Sequence, residues 1–167
     1  MLVRWEEATD KAAVYALNES AFGTSAEANL VDILRREAQP IVSLVAEDNK
    51  IVVGHIMFTA VSLSGHPGIK IMGLAPLAVA PLHQNTGIGT TLVHAGLQQC
   101  KASGYGAAVV LGHPGYYPRF GFKPSARFGI GCEYEVSEEK FMVMELQEGY
   151  LHGKTGIIKY HSAFTGL

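Results

Sequence analysis

The middle of this 167-residue sequence lacks acid. Residues 49–132 contain no Asp or Glu, and their charges are Lys50, Lys70, Lys101, Arg119, Lys123 and Arg127, a net +6. The flanks hold all the acids: nine against four bases in residues 1–48, and six against three in residues 133–167, for −2 overall. Six cations spread thinly without interleaved aromatics, in a chain with a pI of about 6.4, argue against a nucleic-acid partner. An acid-free stretch has two readings. It is backbone lying close to an anion, or it is the inside of a sheet, which excludes charge of either sign.

Cysteine is scarce too. Cys100 and Cys132 show no metal or redox spacing, so reduced, buried thiols are expected. The seven histidines form no HxxxH or HxH pair, and no metal is expected. Long apolar runs are also missing. The longest, near residues 71–82, is interrupted by Pro76 and Pro81 and falls short of the roughly 20 residues a membrane-crossing helix needs. The opening MLVRWEEATD lacks the basic and then apolar regions of a signal peptide. The expectation is a cytoplasmic protein with no membrane partner, folded as one domain over residues 1–167. Monomer and homodimer both stay open.

What is abundant is glycine, at 19 residues, fourteen of them within 54–131. There is no G-X-Y period, which excludes collagen. The pattern predicts a strand at Leu2–Trp5, then a helix capped by Thr9 or Asp10 with Val14, Leu17 and Ala21 inward. Thr24 and Glu27 have capping-box spacing for a second helix with Leu30, Ile33 and Leu34 inward. Strands follow at Ile41–Glu47, Ile51–Leu63 and Ile69–Val79, with a turn at Asp48–Asn49. Pro76 cannot donate to a ladder, so a bulge is expected there. A helix from about Gly87 to Ser103, a strand at Ala107–Leu111, one helical turn at Tyr116–Phe120 and a strand at Phe141–Leu146 complete the reading. The tail, Leu151–Leu167, reads as a last strand or a dimer contact. The class is mixed α/β (α+β).

The sharpest local feature is Leu77-Ala-Val-Ala-Pro-Leu-His-Gln84-Asn-Thr-Gly87-Ile-Gly89-Thr-Thr91. A strand ends, a short loop follows, and a helix begins among glycines. Such a loop turns backbone N–H groups into one concavity at a helix N-terminus, which suits phosphate oxygens. Thr86, Thr90 and Thr91 are candidates to add hydroxyl donors. A Rossmann loop fails because position 92 is Leu92 with no acid within the next twenty residues, and a P-loop fails because Gly153-Lys154-Thr155 has Glu148 at the position of the first glycine.

Gln84-Asn85-Thr86-Gly87-Ile88-Gly89 fits [R/Q]-x-x-G-x-[G/A], the signature of the GNAT family of acetyl-CoA-dependent N-acetyltransferases. A second block, Leu111-Gly-His-Pro-Gly-Tyr-Tyr117-Pro-Arg-Phe120-Gly121-Phe122, resembles the family's Y-x-x-x-G-F ending in the form of a YhbS-like bacterial branch. The resemblance spans nearly the whole chain. It implies a mixed sheet of six to seven strands with about four helices, splayed between the fourth and fifth strands. It implies acetyl-CoA as cosubstrate: Leu77, Ala78 and Val79 along the pantetheine arm, Gln84, Asn85, Thr86, Gly87, Ile88, Gly89 and Thr90 around the pyrophosphate, and Tyr116 and Tyr117 nearby. Family members often carry Asn early in the last helix, where this sequence has Gly112-His113-Pro114.

The implied chemistry is direct attack of an amine on the thioester. Backbone N–H groups near Leu77–Val79 are expected to stabilise the oxyanion, and Tyr117 to protonate the departing thiolate. Adjacent tyrosines are not expected both to face the reacting centre, and the family match favours Tyr117. Gly112, Gly115 and Gly121 are expected to frame it. His113 is the first candidate base, because imidazole titrates near neutrality. Glu27 is the second, although the capping box also accounts for it. Arg119 either meets the 3′-phosphate or caps the short helix, and Cys100 reads as core. The acidic first segment points to a cationic amine acceptor, a small molecule or a protein amine. The alternative is a non-catalytic acyl-CoA-binding or regulatory module on the same fold, against which the retained Tyr117 argues.

Overall fold

The computed structural model describes residues 1–166. The expected unit 1–167 and the tail reading both end on Leu167, which lies outside the described residues. In chain order the elements are strand β1 (Leu2–Trp5), helices α1 (Lys11–Phe22) and α2 (Ala26–Glu37), and strands β2 (Ile41–Asp48), β3 (Ile51–Leu63) and β4 (Ile71–Val79). Then come helix α3 (Ile88–Ala102) and strands β5 (Ala107–Leu111), β6 (Lys123–Pro124), β7 (Ile130–Cys132), β8 (Phe141–Glu145) and β9 (Gly156–Lys159). The main sheet runs β1-β2-β3-β4-β5-β8-β6. The β4–β5 pair is parallel and the other pairs along that path are antiparallel. β9 joins β3 at Ser62 and Leu63 and lies parallel to β7, so part of the tail is indeed a strand.

The mixed α/β class holds, but the counts differ: nine strands and three α-helices among the described residues. β6 and β7 have two and three residues, too few to show a strand period. The helical turn expected at Tyr116–Phe120 is a 3-10 turn over Tyr117–Phe120, and it stands where the resemblance implies a fuller last helix. Pro114, Pro118 and three glycines in ten residues give the segment too few helix formers to extend it.

Alternation along β3 sends Gly54, Ile56 and Phe58 towards α3, and Met57 towards α1 and α2. Two glycines let α3 sit close. A Cβ on Gly54 would lie 2.9 Å from Ile88 and Leu92, and one on Gly96 would overlap the Phe58 ring. On the opposite face Val14, Leu30, Val31 and Leu34 pack on Val45 and Met57. Val31 takes the buried place expected of Ile33, which is only half-buried.

Local details depart from expectation for identifiable reasons. Asp10 stands at the start of α1, but its carboxylate turns back to accept Glu7 N–H at 2.7 Å and Arg4 Nη1 at 2.7 Å. The Thr24–Glu27 box does not form. Ser25 is the N-cap, so Glu27 falls at the second helical position, one short of the reach a box requires, and Thr24 Oγ1 accepts Ala26 N–H instead. The β2–β3 turn is Asn49–Lys50, one residue later than expected, with both residues at positive φ as a two-residue hairpin demands. The bulge at Pro76 is present: Ile56 faces Leu77 and Phe58 faces Leu74, leaving Met57 opposite both Ala75 and Pro76. Much of the acid in the first segment is used internally, in Arg35–Glu6 at 2.7 Å, Arg35–Asp32 at 2.8 Å and Arg4–Asp10 at 2.7 Å.

Candidate functional site

The site begins where the sheet comes apart. β4 and β5 pair only from Ile71–Ala107 to Leu74–Val110. The next residues of β4 are the bulge, and beyond it the two strands diverge. Ala80 N–H donates to Val53 C=O at 2.8 Å. Antiparallel alternation then turns Ala78 to β3, and the N–H and C=O of Leu77 and Val79 to the open edge. Of the three residues expected along the pantetheine arm, Leu77 and Val79 thus present backbone to the gap. Gln84 folds back, its Nε2 donating to Val79 C=O at 3.1 Å.

Below the gap lies a groove lined by Leu77, Val79, the Gln84–Asn85 and Gly87–Thr90 backbone, His113, Tyr116 and Arg119. Asn85 at φ +62° and Gly87 at φ +89° curl the loop so that α3 starts at the groove wall. The first helical bond runs from Thr91 N–H to Gly87 C=O at 3.0 Å. The N–H groups of Ile88, Gly89 and Thr90 therefore have no partner within the helix, and the positive end of its dipole adds to them. A Cβ on Gly89 would point into the space between Val79 and Tyr116, so glycine keeps that space open. The hydroxyls divide differently from expectation. Thr86 donates to His83 C=O and Thr91 to Gly87 C=O, whereas Thr90 Oγ1 meets Tyr116 Oη at 3.1 Å beside the groove.

Leu77, His113 and Tyr116 also line a second space, a cavity of about 550 Å³ on the other side of the splay. Tyr117 lines it too, so both tyrosines face the site. The expectation that only one of them would face it fails: Tyr116 at the N-cap and Tyr117 at the first position of the 3-10 turn both border the cavity. Their rings meet edge to face at 5.1 Å. Tyr117 is buried against Phe120 and Phe122, and burial, aided by neighbouring Tyr116, pushes its phenol up to about 12. Gly112 lies under the Tyr117 ring, where a Cβ would overlap it, and Gly121 closes the turn at φ +108°. Gly115 does not frame the tyrosine: nothing stands near it. Arg119 Nε donates to Tyr116 C=O at 2.9 Å, and its guanidinium lies 4.4 Å over the Tyr116 ring, so it caps the turn at the groove rim.

His113 is exposed at the junction of groove and cavity. Glu27, freed from any capping role, lines the cavity, and its Oε2 is buried without a hydrogen-bond partner. Cys100 is core, its thiol pushed up to about 12 by burial. Sequence reasoning missed the far wall, formed by Phe22, Tyr134, Tyr160 and Phe164. These lie in α1, just after β7 and in the tail, and the β3–β9 and β7–β9 pairings help bring the last two segments to the splay. Of the six middle cations, only Arg119 lines either space, so the sheet interior accounts for most of the missing acid. Among the described residues no cluster of three His, Cys, Asp or Glu is placed to hold a metal, and no helix is long and apolar enough to cross a membrane.

Comparison with known proteins agrees with this geometry. The family model described as "Acetyltransferase (GNAT) domain" matches residues 3–125. The Escherichia coli K12 protein called uncharacterized N-acetyltransferase YhbS is 36% identical over 165 residues, covering 98% of both chains. The crystal structure of E. coli YhbS in complex with CoA superposes with a TM-score of 0.92 at 35% identity, covering 98% of this chain and 91% of that one. A GNAT acetyltransferase from Brucella melitensis in complex with acetyl-CoA gives 0.81 at 33% identity, covering 98% and 97%. The splayed sheet, the glycine loop opening α3 and this likeness over nearly the full length place the chain in the GNAT family of N-acetyltransferases.

Proposed function

We propose that the chain, acting as a single domain, binds acetyl-CoA in the groove and transfers the acetyl group directly to a primary amine in the cavity. The observation that carries this reading is the continuity of the two spaces through Leu77, His113 and Tyr116, with a free strand edge and a helix N-terminus on one side and Tyr117 on the other. The CoA and acetyl-CoA complexes of the two similar structures support it. The pantetheine arm lies along the Leu77 and Val79 edge as a short added strand. The pyrophosphate takes the free N–H groups of Ile88, Gly89 and Thr90. The free thiols Cys100 and Cys132 are consistent with action in a reducing cytoplasm.

The amine nitrogen attacks the thioester carbonyl, and an edge N–H of Leu77 or Val79 receives the developing oxyanion. The C–N bond forms and the C–S bond breaks. Tyr117 gives its proton to the leaving thiolate, and His113 takes one from the nitrogen. The products are the N-acetyl amine and free CoA. The burial that raises the Tyr117 phenol also disfavours a thiolate in the same apolar space, so the gap between the two acids stays narrow. The test is Tyr117→Phe. Its kcat should fall by about a hundredfold or more, the range of a lost general acid, with calorimetric acetyl-CoA affinity unchanged. Wild-type kcat would remove Tyr117 from the chemistry, and lost affinity would make it a packing residue.

A further inference from the structure

The cavity has a composition that the sequence does not announce. Its wall is apolar and aromatic, and among the described residues Glu27 is its one carboxylate, with no Lys or Arg. Among the described residues, three polar side-chain atoms at this wall are buried and unpartnered: Glu27 Oε2 and the hydroxyls of Tyr134 and Tyr160. An unpaired buried carboxylate oxygen is costly, and a donor supplied by a ligand would relieve it. The rings of Phe22, Tyr134, Tyr160 and Phe164 offer π faces and apolar contact to whatever enters. One negative group in a cavity of about 550 Å³ matches a ligand with one cationic head and an apolar body. A polyamine would bury further charges with no second carboxylate to meet them, and an amino sugar would bury more hydroxyls than the Tyr134 and Tyr160 hydroxyls could partner.

We infer that the acceptor is a monoamine on an apolar or aromatic body, held as the ammonium by Glu27 and packed against the tail aromatics. This rests on the transferase reading above and narrows its acceptor. Glu27 sets affinity and orientation. The ammonium gives up a proton to become the attacking amine, so that one proton is released per acetyl transferred.

Steady-state kinetics with acetyl-CoA and 2-phenylethylamine, n-hexylamine, spermidine, a lysine peptide and glucosamine test this. The two monoamines should exceed the other three in kcat/KM by about tenfold or more, the worth of one or two good contacts. Glu27→Gln should raise KM for 2-phenylethylamine by about tenfold, the loss of one charge-assisted bond. A binding readout stands beside the rates: 2-phenylethylamine titrated into CoA-saturated protein should give heat that Glu27→Gln weakens and spermidine does not produce. Preference for spermidine, the peptide or glucosamine overturns the inference. So does an unchanged KM in Glu27→Gln, or no monoamine binding to the CoA complex. Higher kcat/KM with octanoyl-CoA than with acetyl-CoA also overturns it, because the cavity is then an acyl pocket. Protein that fails to bind acetyl-CoA at all would instead overturn the underlying transferase reading, and this one with it.

Discussion

Single residues carry conflicting demands in this molecule, and His55 is the clearest case. It sits in β3 with no exposed surface, its Nε2 2.9 Å from Ser43 Oγ and its Nδ1 unpartnered. Ser43 Oγ in turn donates to Glu6 at 3.0 Å, and Glu6 pairs with Arg35. Burial lowers the imidazole to about 4, against a smaller opposing pull from Glu6. The unfolded chain takes up the proton near 6.5 and the folded chain only near 4, so stability is lost as pH falls between those values. The loss should approach about 3 kcal/mol in urea unfolding, and His55→Leu should flatten that slope. An unchanged slope in the variant would assign the acid sensitivity elsewhere. Asp10, held low chiefly by its bond to Arg4, loses its contribution only at still lower pH. Residue identities were legible in unequal measure. Gly87 and Gly89 announced their place because strand, loop and helix surround them in sequence. Glu27 did not, because a one-residue shift of its helix start decides between a cap and a cavity wall.

At the scale of elements, the long strands and α3 were readable because each carries its own period or punctuation. β3 was read at its observed limits, and the bulge followed from the missing N–H of Pro76. Elements with no room for a period were not readable: β6 and β7. The glycine excess also divides here. Gly54 and Gly96 belong to neither turn nor loop but to the close approach of α3 and β3. Gly96→Ala should therefore lower stability despite the better helix propensity of alanine. The added methyl meets the Phe58 ring in a core with no slack, an overpacking cost of about 1–3 kcal/mol, visible as a lower Tm. A neutral or raised Tm would mean that α3 can lift from the sheet at no cost.

For the whole molecule, function rests on one act of topology: β4 and β5 start in register and then part. The parting frees a strand edge, and the loop that follows β4 delivers the N-terminus of α3 to the same gap. On the other side the tail returns through β9 to wall a cavity that no local stretch of sequence describes. That is why the groove at the start of α3 could be read in advance and the far wall of the cavity could not. The claim that joins both halves is that acetyl-CoA lies in the groove at the start of α3, and calorimetric titration tests it most directly. Acetyl-CoA should bind one to one with a Kd on the order of 10 µM. Gly89→Leu, which fills the space between Val79 and Tyr116, should weaken binding by about tenfold or more while leaving the fold intact. No heat from the wild-type chain at about 1 mM acetyl-CoA, or an affinity indifferent to Gly89→Leu, would contradict the account.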